Sequence, residues 1–174
     1  KDSFEGYANN ATLPSPYATI GTQPITKVNT IHGPDGSATV VQLEGVGFAG
    51  KFGRSISTKW ASNGGQAISV TFWIYKSVHD GITNLFGVNE AVGMADGAAK
   101  QLLRVSATQE VECQFWSGSA NGWVGTSKFI ELGQWYEIRV DLYDRYYELF
   151  IEGLTSGQGN YPDALIANDL RYIW

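Results

Sequence analysis

Cysteine is almost absent from this 174-residue chain, which contains only Cys113. A single thiol cannot close an internal disulfide, so cross-links are excluded as a source of stability. None is needed, because a chain of this length can bury roughly 70% of the surface that it exposes when unfolded. Cys113 alternates with Val111 and Phe115, and this pattern predicts a buried structural thiol.

Charged residues and long hydrophobic runs are also scarce. Only 17% of the residues are charged, the formal net charge is -5, and basic residues form no run. This balance argues against nucleic acid or an anionic membrane surface as the main partner. No segment approaches the roughly 18 consecutive apolar residues of a membrane-spanning helix, so we expect no membrane span. The chain starts at Lys1 without a hydrophobic signal region, and we expect a mature secreted or cell-surface protein, or a module of a larger chain.

Glycine and aromatic residues are abundant instead, with 21 Gly, 6 Trp, 9 Tyr and 8 Phe. This composition predicts many short strands joined by glycine turns. The clearest pattern runs from Leu132 to Gly153, where apolar and polar residues alternate on both sides of a turn at Asp144 and Arg145. A period of two predicts a β-hairpin and is incompatible with a helix.

Other segments share this alternation, most clearly Ile68 to Lys76, followed by Leu102 to Ala107 and Val111 to Trp116. Regularly spaced short strands with turn signals between them predict two packed sheets. We therefore expect an all-β fold, a two-sheet antiparallel β-sandwich with jelly-roll topology. No linker or internal repeat divides the chain, so residues 1–174 form a single predicted domain.

The hairpin also carries a family resemblance. Its Gly133-Gln134-Trp135 entry, alternating strand, turn and second strand closing on Glu152-Gly153 resemble the laminin-G-like members of the concanavalin A-like lectin/glucanase superfamily. The resemblance implies the same jelly roll. It leaves function open, because that superfamily includes lectins, adhesion modules, hydrolases and lyases.

The outward positions of the predicted strands carry more aromatic rings than a solvated sheet needs. Rings suit the C–H faces of sugars, and fixed donors and acceptors suit the hydroxyl groups. Trp116 and Trp123 flank the polar segment 117–122, which predicts that at least one of the two rings reaches solvent at a sheet rim. The predicted ligand-binding residues are Trp73, Tyr75, Arg104, Glu112, Gln114, Trp116, Trp123 and Arg139. The competing interpretation is that loops cover one sheet, which would make Trp73, Tyr75 and Phe150 a second core layer.

Near its two ends the chain has the segments Asp2-Ser3-Phe4-Glu5-Gly6-Tyr7 and Asn168-Asp169-Leu170-Arg171-Tyr172. They resemble the first and last strands of many jelly-roll carbohydrate-binding modules, in which such acidic residues often hold a structural calcium. The resemblance implies a calcium site made by Asp2, Glu5 and Asp169, and carboxylates are apt ligands for this ion. The alternative is that these acids are solvated residues of edge strands.

Catalytic patterns are incomplete. Glu110 and Glu112 precede Gln114 with the alternation of a glycoside hydrolase strand, and the third acid is missing. A lyase site would need a histidine on a strand, whereas His32 and His79 lie in predicted loops.

We therefore expect a non-catalytic carbohydrate-binding module with a polysaccharide or oligosaccharide as its partner. Two alternatives stay open. One is a polysaccharide lyase or glycoside hydrolase built around Arg104, Glu112, Gln114 and Arg139, and the other is an adhesion or structural domain that binds protein.

Overall fold

A computed structural model describes residues 17–20, 25–28, 33–34, 40–43, 51–55, 68–78, 81–89, 99–116, 121–143, 145–160 and 172–173. These residues form thirteen strands and contain no helix. The strands are β1 (Tyr17–Ile20), β2 (Ile25–Val28), β3 (Val40–Leu43), β4 (Lys51–Ser55), β5 (Ile68–Tyr75), β6 (Thr83–Asn89), β7 (Ala99–Val105), β8 (Glu110–Trp116), β9 (Asn121–Phe129), β10 (Trp135–Leu142), β11 (Tyr146–Ile151), β12 (Leu154–Asn160) and β13 (Tyr172–Ile173).

Two antiparallel sheets make up the body of the fold. One has seven strands in the order β1-β4-β13-β6-β7-β8-β9, and the other has four in the order β12-β11-β10-β5. Strands β2 and β3 form a separate two-stranded ladder. The predicted all-β, two-sheet antiparallel sandwich is confirmed.

The hairpin of β10 and β11 has the predicted register. Val140 lies opposite Leu149, and Arg139 lies opposite Phe150 on the other face. The inward residues of both strands are buried, apart from the partly buried Tyr136, whereas the outward Arg139 and Phe150 are partly exposed. Alternation along the chain therefore translates directly into an inner and an outer face of the four-stranded sheet.

The core lies between the two sheets. Ile138, Val140 and Leu149 from the four-stranded sheet pack against a cluster that includes Leu103 and Val105 of β7. The rings of Phe72 on β5 and Phe86 on β6 stack with their centroids 5.7 Å apart. This contact joins an edge strand of the four-stranded sheet to the middle strand of the seven-stranded sheet.

Cys113 belongs to this core, with 1% of its surface exposed. Burial in apolar surroundings raises the pKa of its thiol to about 12, because the charged thiolate would lose its hydration. The prediction of a buried structural thiol is confirmed.

A tyrosine hydroxyl bridges the two sheets. The β7–β8 ladder runs from Val105 opposite Val111 to Leu103 opposite Cys113 and stops there. At the next position the Tyr147 hydroxyl, which comes from β11, accepts the Gln114 N–H at 2.8 Å and donates to the Leu102 carbonyl at 2.6 Å. The hydroxyl thus satisfies a backbone donor and a backbone acceptor that the ladder leaves open, in a region where an unpaired group would cost about 1–3 kcal/mol.

Glycines in β12 allow the sheets to approach closely at this edge. A Cβ at Gly157 would lie 2.9 Å from Thr126 Cγ2 and 3.0 Å from Cys113 Sγ. A Cβ at Gly159 would overlap the ring of Tyr147 and lie 2.5 Å from the Gln114 carbonyl oxygen. Sheets in a sandwich normally pack about 10 Å apart, and the missing side chains let β12 come nearer.

Replacing Gly159 with alanine tests this close approach. We expect Gly159→Ala to lower the free energy of unfolding by about 2–3 kcal/mol, because the new methyl group displaces the Tyr147 ring. Gly122→Ala on β9 is the matched control, since its Cβ would find only the Phe115 carbonyl, at 3.9 Å. Chemical denaturation measures both variants, and equal stabilities would contradict the packing described here.

Candidate functional site

The predicted ligand-binding residues do not form one site. Arg104, Glu112, Gln114 and Trp123 lie on β7, β8 and β9 of the seven-stranded sheet, whereas Trp73, Tyr75 and Arg139 lie on β5 and β10 of the four-stranded sheet. Both sets point away from the core, so they occupy opposite outer faces of the sandwich. The grouping of Arg139 with Arg104, Glu112 and Gln114 is therefore wrong, because alternation identifies an outward residue without identifying its sheet.

We call the set Arg104, Glu112, Gln114 and Trp123 the β7–β9 site. Strand pairing brings it together: Arg104 lies directly opposite Glu112, and Gln114 lies directly opposite Trp123. Directly opposed side chains on one face are about 5 Å apart at Cβ, so the four side chains form one continuous patch.

An ion pair lies at the centre of the β7–β9 site. The Arg104 Nε is 2.5 Å from a carboxylate oxygen of Glu112, and the two side chains are 22% and 18% exposed. The same guanidinium lies over the Trp123 ring, with Cζ 4.1 Å from the ring centroid. Trp123 itself is partly exposed on β9, the edge strand of the sheet, so an aromatic ring and a charged pair are presented side by side.

Gln114 contributes a buried side-chain amide to the site. The residue is only 7% exposed, and its side-chain Oε1 is buried without a hydrogen-bond donor among the residues that the structure describes. Glu112 and Gln114 alternate with the buried Cys113, so the Gln114 amide lies on the outer face although its backbone N–H is bound on the inner side by Tyr147. A buried amide oxygen without a donor is a candidate acceptor for a ligand hydroxyl.

Glu110 adds a second carboxylate to this face. The β8–β9 register shifts between Glu110 and Glu112, and the Glu110 carboxylate accepts the Ser127 N–H at 2.8 Å. The chain accommodates this contact with a positive φ of 59° at Ser127 and with glycine at position 125, where a Cβ would overlap the carboxylate.

Neutral amides continue the same face toward β6. Asn84 lies opposite Arg104, and Gln101 Nε2 donates to Asn84 Oδ1. Neither amide was among the predicted ligand-binding residues, although both occur at polar positions beside apolar ones in β6 and β7.

Trp116 cannot be placed in the patch. Trp116 is the last residue of β8 and its backbone pairs with Asn121, whereas its side chain lies outside the described part of the chain. The role of Trp116 as a ligand-binding residue stays a prediction.

The opposite face has its own aromatic and charged groups. Arg139 lies over the Phe150 ring with Cζ 3.8 Å from the centroid, and its Nε is 3.3 Å from Asp141. Trp73 is 43% exposed, and Tyr75 packs against Trp135 with ring centroids 5.3 Å apart. The alternative in which Trp73 belongs to a second core layer does not fit this exposure.

The calcium hypothesis concerns residues that the structure does not describe. Asp2, Glu5 and Asp169 all lie outside the described ranges, so the site stays a prediction. Among the described residues, no three His, Cys, Asp or Glu side chains are grouped closely enough to hold a metal ion. Within the same residues, no helix has the length and apolar character needed to cross a membrane.

Comparisons with known proteins support the fold. No protein-family model matches the chain, and no curated protein matches its sequence. Among solved structures, a sialidase superposes with a TM-score of 0.54 and 14% identity over 90% of this chain and 13% of the sialidase. A non-specific endo-beta-1,3(4)-glucanase from family GH16 superposes with a TM-score of 0.50 and 11% identity, over 98% of this chain and 69% of the glucanase.

The fold is the concanavalin A-like jelly roll. The predicted resemblance is therefore confirmed at the level of architecture. The chain spans about an eighth of the length of the sialidase.

The two arginine–carboxylate pairs differ enough to be compared directly. In double-mutant cycles with Arg104→Gln and Glu112→Gln, we expect a coupling free energy of about 1–2 kcal/mol, because this pair is short and largely buried. The Arg139 and Asp141 pair is longer, and its arginine side chain is 40% exposed. Its coupling with Arg139→Gln and Asp141→Asn should be about 0.5 kcal/mol or less. Urea denaturation provides both values, and a larger coupling for the second pair would contradict this ranking.

Proposed function

We propose that the protein is a non-catalytic carbohydrate-binding module that binds a polysaccharide or oligosaccharide at the β7–β9 site. The observation that carries the proposal is the combination of the partly exposed Trp123 ring with the Arg104 and Glu112 pair and the unpaired Gln114 amide oxygen. A sugar offers C–H groups to the ring and hydroxyl groups to the polar atoms. The amide oxygen in particular provides a hydrogen-bond acceptor that an apolar surface would lack.

The expected affinity is weak. Covering roughly 80 Å² of one ring face at about 25 cal/mol per Å² contributes about 2 kcal/mol before the costs of association. One such platform with a few hydrogen bonds corresponds to a dissociation constant on the order of micromolar to millimolar. Modules of this kind gain effective affinity from repeated sugar units or from attachment to other domains of a larger chain.

The same geometry supports binding over catalysis. A glycoside hydrolase needs one carboxyl group that is protonated and one that is ionised. In the β7–β9 site, Glu112 is paired with Arg104 and Glu110 accepts the Ser127 N–H, so contacts within the protein already engage both carboxylates. The third outward position of β8 is Gln114, which has no acidic proton to donate.

The structural neighbours are consistent with this proposal. The names of both, a sialidase and a glucanase, refer to proteins that act on carbohydrate. The short share of the sialidase that the chain covers suits a role as one module of a larger secreted or cell-surface protein. The calcium site at Asp2, Glu5 and Asp169 completes the proposal as a structural element near the chain ends.

Replacing Trp123 tests the site directly. We expect Trp123→Ala to abolish retardation of the domain in native gels that contain the bound polysaccharide, because the ring platform is lost. Trp73→Ala removes the same side chain from the opposite face, and this variant should be retarded like the wild type. Thermal denaturation of both variants shows whether the fold is retained.

The opposite pattern, with Trp73 required and Trp123 dispensable, would move the site to the four-stranded sheet. Wild-type migration that no polysaccharide slows would favour a protein-binding or structural role. Incubation with the bound glycan followed by assays for new reducing ends and for unsaturated uronic products tests the enzyme alternative, and we expect neither product.

A further inference from the structure

We propose that the β7–β9 site selects uncharged glycans over anionic ones, and that Glu112 sets this selectivity by neutralising Arg104. The inference rests on the proposed function, since it names the class of sugar that the same site accepts. It is carried by the charges and the unpaired group on the outer face of β7, β8 and β9.

Two carboxylates and one arginine belong to the β7–β9 site and its immediate surroundings. Arg104 supplies one positive charge, and Glu110 and Glu112 supply two negative charges. The neighbouring Asn84 and Gln101 amides are neutral and are bonded to each other. The whole chain has a formal charge of -5, so its overall field does not attract a uronate or a sulfate group.

Arg104 is already committed to a partner. Its Nε lies 2.5 Å from Glu112, and its guanidinium rests on the Trp123 ring. An anionic ligand that binds the remaining guanidinium N–H groups would lie beside the Glu112 carboxylate, and the like charges repel each other. A neutral sugar meets no such repulsion, because its hydroxyl groups can accept from these N–H groups and donate to the carboxylate.

The unpaired amide oxygen also favours a hydroxyl group. Gln114 is 93% buried, and its Oε1 has no donor among the described residues. A hydroxyl group can donate to this oxygen, whereas a carboxylate or a sulfate can only accept, so the position of the sugar that reaches it must carry a free hydroxyl group. Gln114 is the cross-strand neighbour of Trp123, so the amide adjoins the ring on which a sugar would lie. A sugar hydroxyl that reaches Oε1 would therefore remove the cost of a buried, unsatisfied acceptor.

The opposite face provides an internal comparison. Arg139 also lies over an aromatic ring beside a carboxylate, but its distance to Asp141 is 3.3 Å and its side chain is 40% exposed. Asp141→Asn and Glu112→Gln each remove one negative charge and free one arginine. The two variants make the same change of charge on opposite faces of the sandwich.

Affinity electrophoresis of the wild type, Glu112→Gln and Asp141→Asn tests the inference. The gels contain a neutral β-glucan, a neutral mannan, polygalacturonate or a sulfated galactan at one ionic strength, and a gel without polysaccharide corrects for the change of charge. We expect a neutral polysaccharide to retard the wild type and the anionic ones to leave its relative mobility unchanged. Glu112→Gln should gain affinity for polygalacturonate by about threefold or more, an effect that added salt weakens. Asp141→Asn should behave like the wild type.

The outcomes separate this inference from the function on which it rests. Stronger retardation of the wild type by polygalacturonate or sulfated galactan than by the neutral polymers would overturn the selectivity and leave carbohydrate binding intact. Equal gains for Glu112→Gln and Asp141→Asn would overturn the role of Glu112. Free migration of the wild type in every gel would overturn the proposed function and this inference together. Matching thermal denaturation curves establish that both variants are folded, and the wild-type panel tests the selectivity without any variant.

Discussion

The hydroxyl group of Tyr147 is the contact on which the arrangement of the two sheets depends. It leaves the inner face of β11, crosses the core and binds the backbone of both β7 and β8 at the point where their own ladder ends. The ring can lie there only because Gly159, its cross-strand neighbour on β12, has no Cβ. Sandwich cores usually consist of interdigitated apolar side chains, whose contacts are not directional. A directional bond between a side chain and the facing backbone instead determines the position of one sheet relative to the other.

This contact also connects the core with the β7–β9 site. Gln114 is held on its inner side through its backbone N–H and presents its amide on the outer side. Its neighbour Cys113 is buried beneath Gly157, where the approach of β12 leaves no room for a side chain. The inner side of β8, the strand that carries Glu110, Glu112 and Gln114, therefore packs against β11 and β12. This packing allows the site to keep its polar groups in position before a ligand arrives.

The sequence predicted some elements well and others poorly, for identifiable reasons. Apolar alternation identified the β10–β11 hairpin and the outward positions Arg104, Glu112 and Gln114. This was possible because the period of two along a strand does not depend on the order of the strands in the sheets. It could not separate Arg104 from Arg139, since sheet membership depends on pairing between distant strands. Strands β9 and β12 were missed because their glycines and polar residues serve close backbone approach and leave no hydrophobic pattern. The bridging hydroxyl of Tyr147 was invisible as well, since the alternation accounts for that residue as ordinary core.

Amide hydrogen exchange at Gln114, compared between the wild type and Tyr147→Phe, tests this account most directly. The substitution keeps the ring and removes only the hydroxyl that accepts the Gln114 N–H. We expect Gln114 exchange in Tyr147→Phe to accelerate by about tenfold or more relative to the β8 amides of residues 111–113, which lie where the ladder with β7 is intact. An unchanged ratio between Gln114 and these neighbours would contradict the account, because it would mean that the hydroxyl does not hold β8 in place.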